Sequence, residues 1–174
     1  MLTISVHNRF SPAISVASLI FALSAPSAVA QHPERAVALV GGVSQFDLSG
    51  TGTTGVLGLR GELSAKRWLV FEAGLTAFRP DEQFGQQRTY VIPEIQVQAQ
   101  VPSRSFRPYV GLGVGSLLAS GNSDARRALS AAAGTRIVIP ETRFNVRAEL
   151  RVRGIGESFS GAIAEWTVGS GYRF

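Results

Sequence analysis

The feature that most constrains this chain is an alternation of period two in which one parity carries charge and the other carries none. Phe144, Val146, Ala148, Leu150 and Val152 alternate with Asn145, Arg147, Glu149, Arg151 and Arg153. An extended chain turns successive side chains to opposite faces, so this segment has one apolar face and one ionic face. A helix would need a repeat near 3.6 residues, which the segment lacks. Two barrels satisfy such a strand. One has hydrocarbon outside and a polar lumen inside; the other has water outside and an apolar ligand cavity inside, as in a secreted carrier.

The same test, asking which parity is free of charge, sorts the rest of the chain. Leu57, Leu59, Gly61, Leu63 and Ala65 oppose Gly58, Arg60, Glu62 and Ser64. Leu69, Phe71, Ala73, Leu75 and Ala77 oppose Val70, Glu72, Gly74 and Thr76. Val91, Pro93, Ile95, Val97, Ala99 and Val101 oppose Glu94, Gln96, Gln98 and Gln100. Two weaker segments fit: Tyr109 to Leu118, with Gly111, Gly113 and Gly115 on the inner parity to make room for long Arg side chains, and Leu129 to Ile139, with Arg136 inside. The segment from Arg35 to Phe46 is apolar on both parities around Ala36 to Val40, which leaves its register open. In the last, Trp166, Val168, Tyr172 and Phe174 oppose Glu165, Thr167 and Arg173. These make eight strands, an even number that permits antiparallel closure and removes the unpaired edges that lipid cannot satisfy.

Connection lengths agree. Asp47–Thr54, Arg79–Thr89, Ser120–Arg127 and Gly154–Gly161 are long and polar, whereas Lys66-Arg67 and Pro140-Glu141-Thr142 are tight and Pro102–Pro108 is intermediate. Pro93 lacks the N–H that a closed ladder uses, so it should lie near the rim or at a bulge. The expected fold is all-β: an eight-stranded antiparallel up-and-down transmembrane β-barrel.

Residues 1–30 read as a cleaved export peptide, with His7 and Arg9 before an apolar stretch from Ala13 to Leu23 and Ala28-Val29-Ala30 as the cleavage site. That stretch is too short to span about 30 Å of hydrocarbon comfortably. Residues 31–174 form one barrel domain. The net charge of +5 and the absence of cysteine name no partner. The basic residues alternate with apolar ones instead of forming a patch, which argues against nucleic acid. Gly111-x-Gly113-x-Gly115 stands in a strand without the helix that a nucleotide-binding loop requires, and Asp124 is an isolated loop carboxylate. No cofactor and no metal are expected.

The export peptide, the eight alternating strands, the long and short connections and a terminal Phe174 with Tyr172 two residues before it resemble the small bacterial outer-membrane barrels of the outer-membrane protein A and outer-membrane protein X type. The resemblance implies the outer membrane of a Gram-negative-type bacterium, outer-membrane lipid as the surroundings and a monomer. It also implies Tyr172 and Phe174 as the signal read by the barrel-assembly machinery, with long connections outside and short turns in the periplasm. Lipid-modifying enzymes of this size pair a histidine with a serine, and the only histidine after the export peptide is His32. A serine nucleophile needs an adjacent base. Glu149 and Glu165 are the conceivable acid–base pair, held ionised by neighbouring arginines.

The candidate functional set is therefore a lumen charge network of Arg60, Glu62, Glu72, Glu94, Arg136, Arg147, Glu149, Arg151, Glu165 and Arg173. An eight-stranded interior is only wide enough for side chains to fill, so these groups should interlock as a plug. Trp68, Tyr90, Tyr109 and Trp166 should form interfacial aromatic girdles. The leading reading is a non-enzymatic barrel with a structural or loop-mediated surface role. A narrow low-conductance pore and a lipocalin-like carrier of an apolar ligand are the alternatives.

Overall fold

The computed structural model describes residues 34–46, 52–80, 89–120, 125–156 and 161–174. The export peptide over 1–30, His32, Asp124 and the central part of each long connection lie outside the described residues.

The described chain forms β1 (Arg35–Phe46), β2 (Gly52–Lys66), β3 (Leu69–Phe78), β4 (Tyr90–Gln100), β5 (Phe106–Ala119), β6 (Arg126–Val138), β7 (Phe144–Ile155) and β8 (Gly161–Arg173). Each strand pairs antiparallel with the next, and β1 pairs with β8 to close the barrel. Closure gives every strand two hydrogen-bonding neighbours, the condition for a sheet to stand in hydrocarbon. The shortest strand has 10 residues and the longest 15, enough for a tilted strand to cross, which takes about 9 to 11.

The barrel is ionic inside and apolar outside. Leu57, Ile95, Val110, Leu112 and Val168 are exposed on the outer wall, while Arg60, Glu72, Arg147, Arg151 and Glu165 are buried within. A continuous apolar exterior marks a surface made for something other than water. This polarity is the inverse of a soluble carrier. The open register of β1 is settled by its neighbours: Ala38 lies opposite Arg60 and Gly171, which turns Ala36, Ala38, Val40 and Ser44 inward and leaves Leu39 and Val43 outside.

Pro93 lies near the loop end of β4, opposite Leu75 of β3. On the β5 side the ladder breaks between the pairs Val91 with Leu118 and Glu94 with Gly115, without an extra residue in either strand. Its missing donor thus falls in an interruption of the ladder rather than in a bulge. The glycines of β5 do not make room for arginines. A Cβ on Gly111 would come within 2.9 Å of Gln96 and Gln98, and one on Gly115 within 2.4 Å of the Pro93 carbonyl. The glycines that accommodate an arginine are Gly74 and Gly58, where a Cβ would stand 2.8 Å and 3.2 Å from Nη1 of Arg60.

Candidate functional site

The inward parity is layered along the barrel axis. At the loop end Val56, Phe78, Ile92, Ala128, Ile155 and Ile163 form a buried apolar cluster, with Phe46, Tyr90 and Leu117 packed on it. Tyr90 stacks on Phe78 with ring centroids 5.5 Å apart. It therefore closes the inside of the mouth and is not part of an external girdle. Its even position in β4 shares the inward parity of Glu94 and Gln96.

Below this cluster lies the charged core. β7 supplies Arg147, Arg151 and Arg153 at every second residue apart from Glu149, so their guanidiniums enter the lumen at successive heights. Nε of Arg153 donates to Glu94 at 2.7 Å, and its Nη1 pairs with Glu165. Arg151 donates to Glu72 at 2.8 Å and to Glu149 at 3.0 Å, and also pairs with Glu94. Arg147 reaches Glu62 at 2.8 Å and pairs with Glu72 and Glu149. Arg136 of β6 donates to Glu62 at 3.0 Å and also to Gln98. In a closed ring of eight, β3 stands opposite β7, so the Arg147 and Arg151 pairs to Glu72 span the full width of the lumen.

Polar uncharged groups complete the shell. Gln98 donates to Glu72 at 2.9 Å and Ser130 to Glu94 at 3.0 Å. Arg60 is the exception. It is fully buried, its closest carboxylate is Glu72 at 3.7 Å, and its three nitrogens make no hydrogen bond among the described residues. The lumen core holds five arginines, with Arg153 added to Arg60, Arg136, Arg147 and Arg151, against the glutamates at 62, 72, 94, 149 and 165. These charges balance.

Two sequence expectations change here. Tyr109 does not belong to a girdle: it is buried, its hydroxyl donates to Glu149 at 2.7 Å, and its ring lies 4.1 Å from the guanidinium carbon of Arg136. Its odd position in β5 places it on the inward side with Gly111, and the two nearby guanidiniums of Arg136 and Arg147 favour the ring face. Arg173 is not part of the lumen core. It reaches Glu34 at 2.8 Å at the turn end, and Glu34 is also bound by Arg107 at 2.9 Å. Burial of the Glu34 carboxyl opposes its charge, but the hydrogen bonds and charges of Arg173 and Arg107 outweigh that and hold its pKa below the ordinary carboxylate value. This clasp joins the start of β1 to β5 and β8.

Glu34 and Arg107 escaped the sequence reading because they sit at strand ends, where alternation gives no signal. The apolar mouth had one: Phe78 shares parity with Glu72, and Ile155 with Arg153. Trp68 and Trp166 are both outside and about half exposed. Trp68 is joined at the turn end by outward Phe106, Phe144, Tyr172 and Phe174, a belt at one level of the wall. Glu149 and Glu165 do not meet as an acid–base pair; each is held by its own arginines. Among the described residues no group of histidine, cysteine or carboxylate side chains is arranged to hold a metal ion.

Comparison with known structures agrees with this architecture. Neisserial surface protein A superposes with a TM-score of 0.68 at 12% identity, covering 80% of this chain and 97% of that one. Ail, the attachment invasion locus protein of Yersinia pestis, gives 0.56 at 15% identity over 83% of this chain and 100% of its own. OprG from Pseudomonas aeruginosa gives 0.52 at 14% identity, over 83% and 98%. The outer membrane enzyme PagL shares the fold with a TM-score of 0.50 at 15% identity, over 79% and 98%. No curated protein sequence matches. The family model for the outer membrane protein beta-barrel domain matches residues 15–174. An apolar wall, a closed ring of eight strands and a match over most of the sequence lead to one conclusion: this chain belongs to the outer membrane β-barrel protein family and resides in the outer membrane.

Proposed function

We propose that the protein is a non-enzymatic outer-membrane barrel with a plugged lumen, working as a structural element and through the segments that join its strands at the loop end. The observation that carries this reading is the set of ion pairs from β7 across the lumen to β2, β3 and β4. A charge-balanced network that fills an interior of this size leaves no continuous aqueous path. The apolar cluster at the loop end adds a second closure in series. Catalysis is disfavoured because both histidines of the sequence, His7 and His32, precede β1. Residues 1–30 serve as the export peptide, and Tyr172 and Phe174 as the signal for the barrel-assembly machinery, which inserts residues 31–174 as a monomer.

The test is conductance. The purified barrel in a planar bilayer should show negligible steady current. A stable open channel would replace this reading with that of a narrow pore.

A further inference from the structure

The charge of the chain is not spread evenly along the barrel axis. The lumen core is neutral. By sequence, the four long connections and their flanks carry Arg79, Arg88, Arg126 and Arg127 against five acidic residues. The turn end carries Lys66 and Arg67 between β2 and β3, Arg104 and Arg107 around the start of β5, Arg143 before β7, and Arg35 and Arg173 at the outer strand ends. Only Glu34 and Glu141 oppose them there. The positive excess of the barrel therefore lies at the turn end, which in this family faces the periplasm.

Part of that charge lines a cavity. Lys66, Arg67, Arg104 and Arg107 surround a basin of about 1070 Å³, with Ser64 and Ser103 adding hydroxyls and Glu34 one carboxylate. Arg107 is engaged with Glu34, whereas Lys66 lies 5.7 Å from the ring centroid of outward-facing Trp68. Immediately beside the basin the outer wall changes character. Leu69 and Ala99, partners across β3 and β4, open a furrow of about 670 Å³ on the outer face that continues past Ala131 and Ala133 and is lined by apolar residues alone. Trp68 and Phe106 stand on the outer wall at the same end, at the level of the aromatic belt.

A cationic, hydroxyl-bearing basin at the turn-end rim, with an apolar furrow on the outer face of the same strands, matches one amphiphile whose headgroup bends over the rim. We propose that this is a binding site for a phospholipid with a net negative headgroup, drawn from the leaflet that meets the turns. The phosphate sits among Lys66, Arg67 and Arg104, and one acyl chain lies along Leu69 and Ala99. Basic residues close to an anionic membrane surface attract it individually and sum over a cluster, and the aromatic belt holds the basin at headgroup depth. The proposal rests on the placement in the outer membrane and is independent of whether the lumen conducts.

The chain has two tryptophans, which makes the test site-specific. Trp166→Phe leaves Trp68 beside the basin, and Trp68→Phe leaves Trp166 on the wall of β8. Each variant is folded into phosphatidylcholine vesicles containing a minor fraction of either phosphatidylglycerol or phosphatidylcholine with brominated chains, and tryptophan quenching is read. Trp68 should favour the anionic lipid by about fivefold or more, falling toward unity at high salt. Trp166 should show no preference. Lys66→Gln, Arg67→Gln and Arg104→Gln together should abolish the Trp68 preference, while Arg126→Gln with Arg127→Gln at the loop end should preserve it. If the triple variant does not fold, the salt titration of the unmodified basin decides. Equal quenching of Trp68 by the two lipids overturns the proposal, as does a preference that survives the triple substitution. Binding to isolated peptidoglycan that the triple variant loses, without any lipid preference, would assign the basin to the cell wall and overturn it too. Absence of quenching by either lipid would instead refute the membrane placement itself.

Discussion

Glu72→Ala is the substitution that tests the lumen network most directly. Its carboxylate accepts from Arg147 at 2.5 Å, Arg151 at 2.8 Å and Gln98 at 2.9 Å, and it is the nearest carboxylate to Arg60. Removing it leaves five buried arginines facing four glutamates. Arg147 keeps Glu62 and Glu149, and Arg151 keeps Glu94 and Glu149, so those two lose one bond each. A hydrogen bond to a charged group is worth about 1.5–3 kcal/mol, and stranding a buried charge costs about 3–5 kcal/mol. The two routes agree on a loss of roughly 3–5 kcal/mol, shared between the bonds lost by Arg147 and Arg151 and the charge left without its nearest counterion at Arg60. The assay is urea unfolding from liposomes, followed by the gel mobility shift between folded and boiled barrel. Adding Arg60→Met to Glu72→Ala removes the stranded cation and should recover more than about 1 kcal/mol, a coupling that only neighbouring groups show. Glu72→Gln, which keeps the acceptor and the volume, should cost less than the alanine. Excess positive charge in the lumen should also admit water, giving flickering, anion-preferring events in planar bilayers where the parent is silent. A Glu72→Ala barrel within about 1 kcal/mol of the parent, or no recovery from Arg60→Met, would show that the network is not the source of closure.

Leu112, 72% exposed at the middle of β5, should tolerate Arg poorly, losing about 2–4 kcal/mol near the bilayer midplane, whereas Thr167→Ala inside should be milder; unfolding from liposomes compares them. Ile92→Ala should cost about 2–5 kcal/mol by leaving a void in the loop-end cluster, yet conductance should stay negligible because the ion pairs below it remain. Glu34 stabilises the turn-end clasp with a lowered pKa, so its contribution is complete above the ordinary carboxylate value of about 4.3 and lost as pH falls through the lowered one. The stability gap between the parent and Glu34→Gln, measured by urea midpoints, should therefore be present at neutral pH and close in acid. Phe174→Ala should reduce the amount of barrel assembled in an outer-membrane host far more than it changes the urea midpoint, since Phe174 lies exposed on the outer wall; normal surface levels would remove Phe174 from the assembly signal.

Strand number, strand direction and the division of each strand into a charged and an apolar face were legible in the residues themselves, because a side chain in an extended segment has only two faces and charge marks one of them. Arg147, Glu149, Arg151 and Arg153 in one strand suffice to orient β7 whatever it pairs with. Where charge is missing, parity is silent: Ala36 to Val40 acquired an inside only by pairing with β2 and β8. Tyr90 and Tyr109 show the second limit. An aromatic ring with a hydroxyl suits the interface and a polar interior alike, so residue type misled where parity, shared with Glu94 for Tyr90 and with Gly111 for Tyr109, already pointed inward, as the Phe78, Arg136 and Glu149 contacts bear out. The third limit is distance. Arg147 and Glu62 are 85 residues apart and Arg173 and Glu34 139 apart, so which arginine meets which carboxylate depends on the closure of the ring. Alternation, a local property, determined that the charges share one face, and closure of the ring turned that face inward. The register of eight strands, a global one, decided that five of them face five partners and that the surplus stands at the turn end.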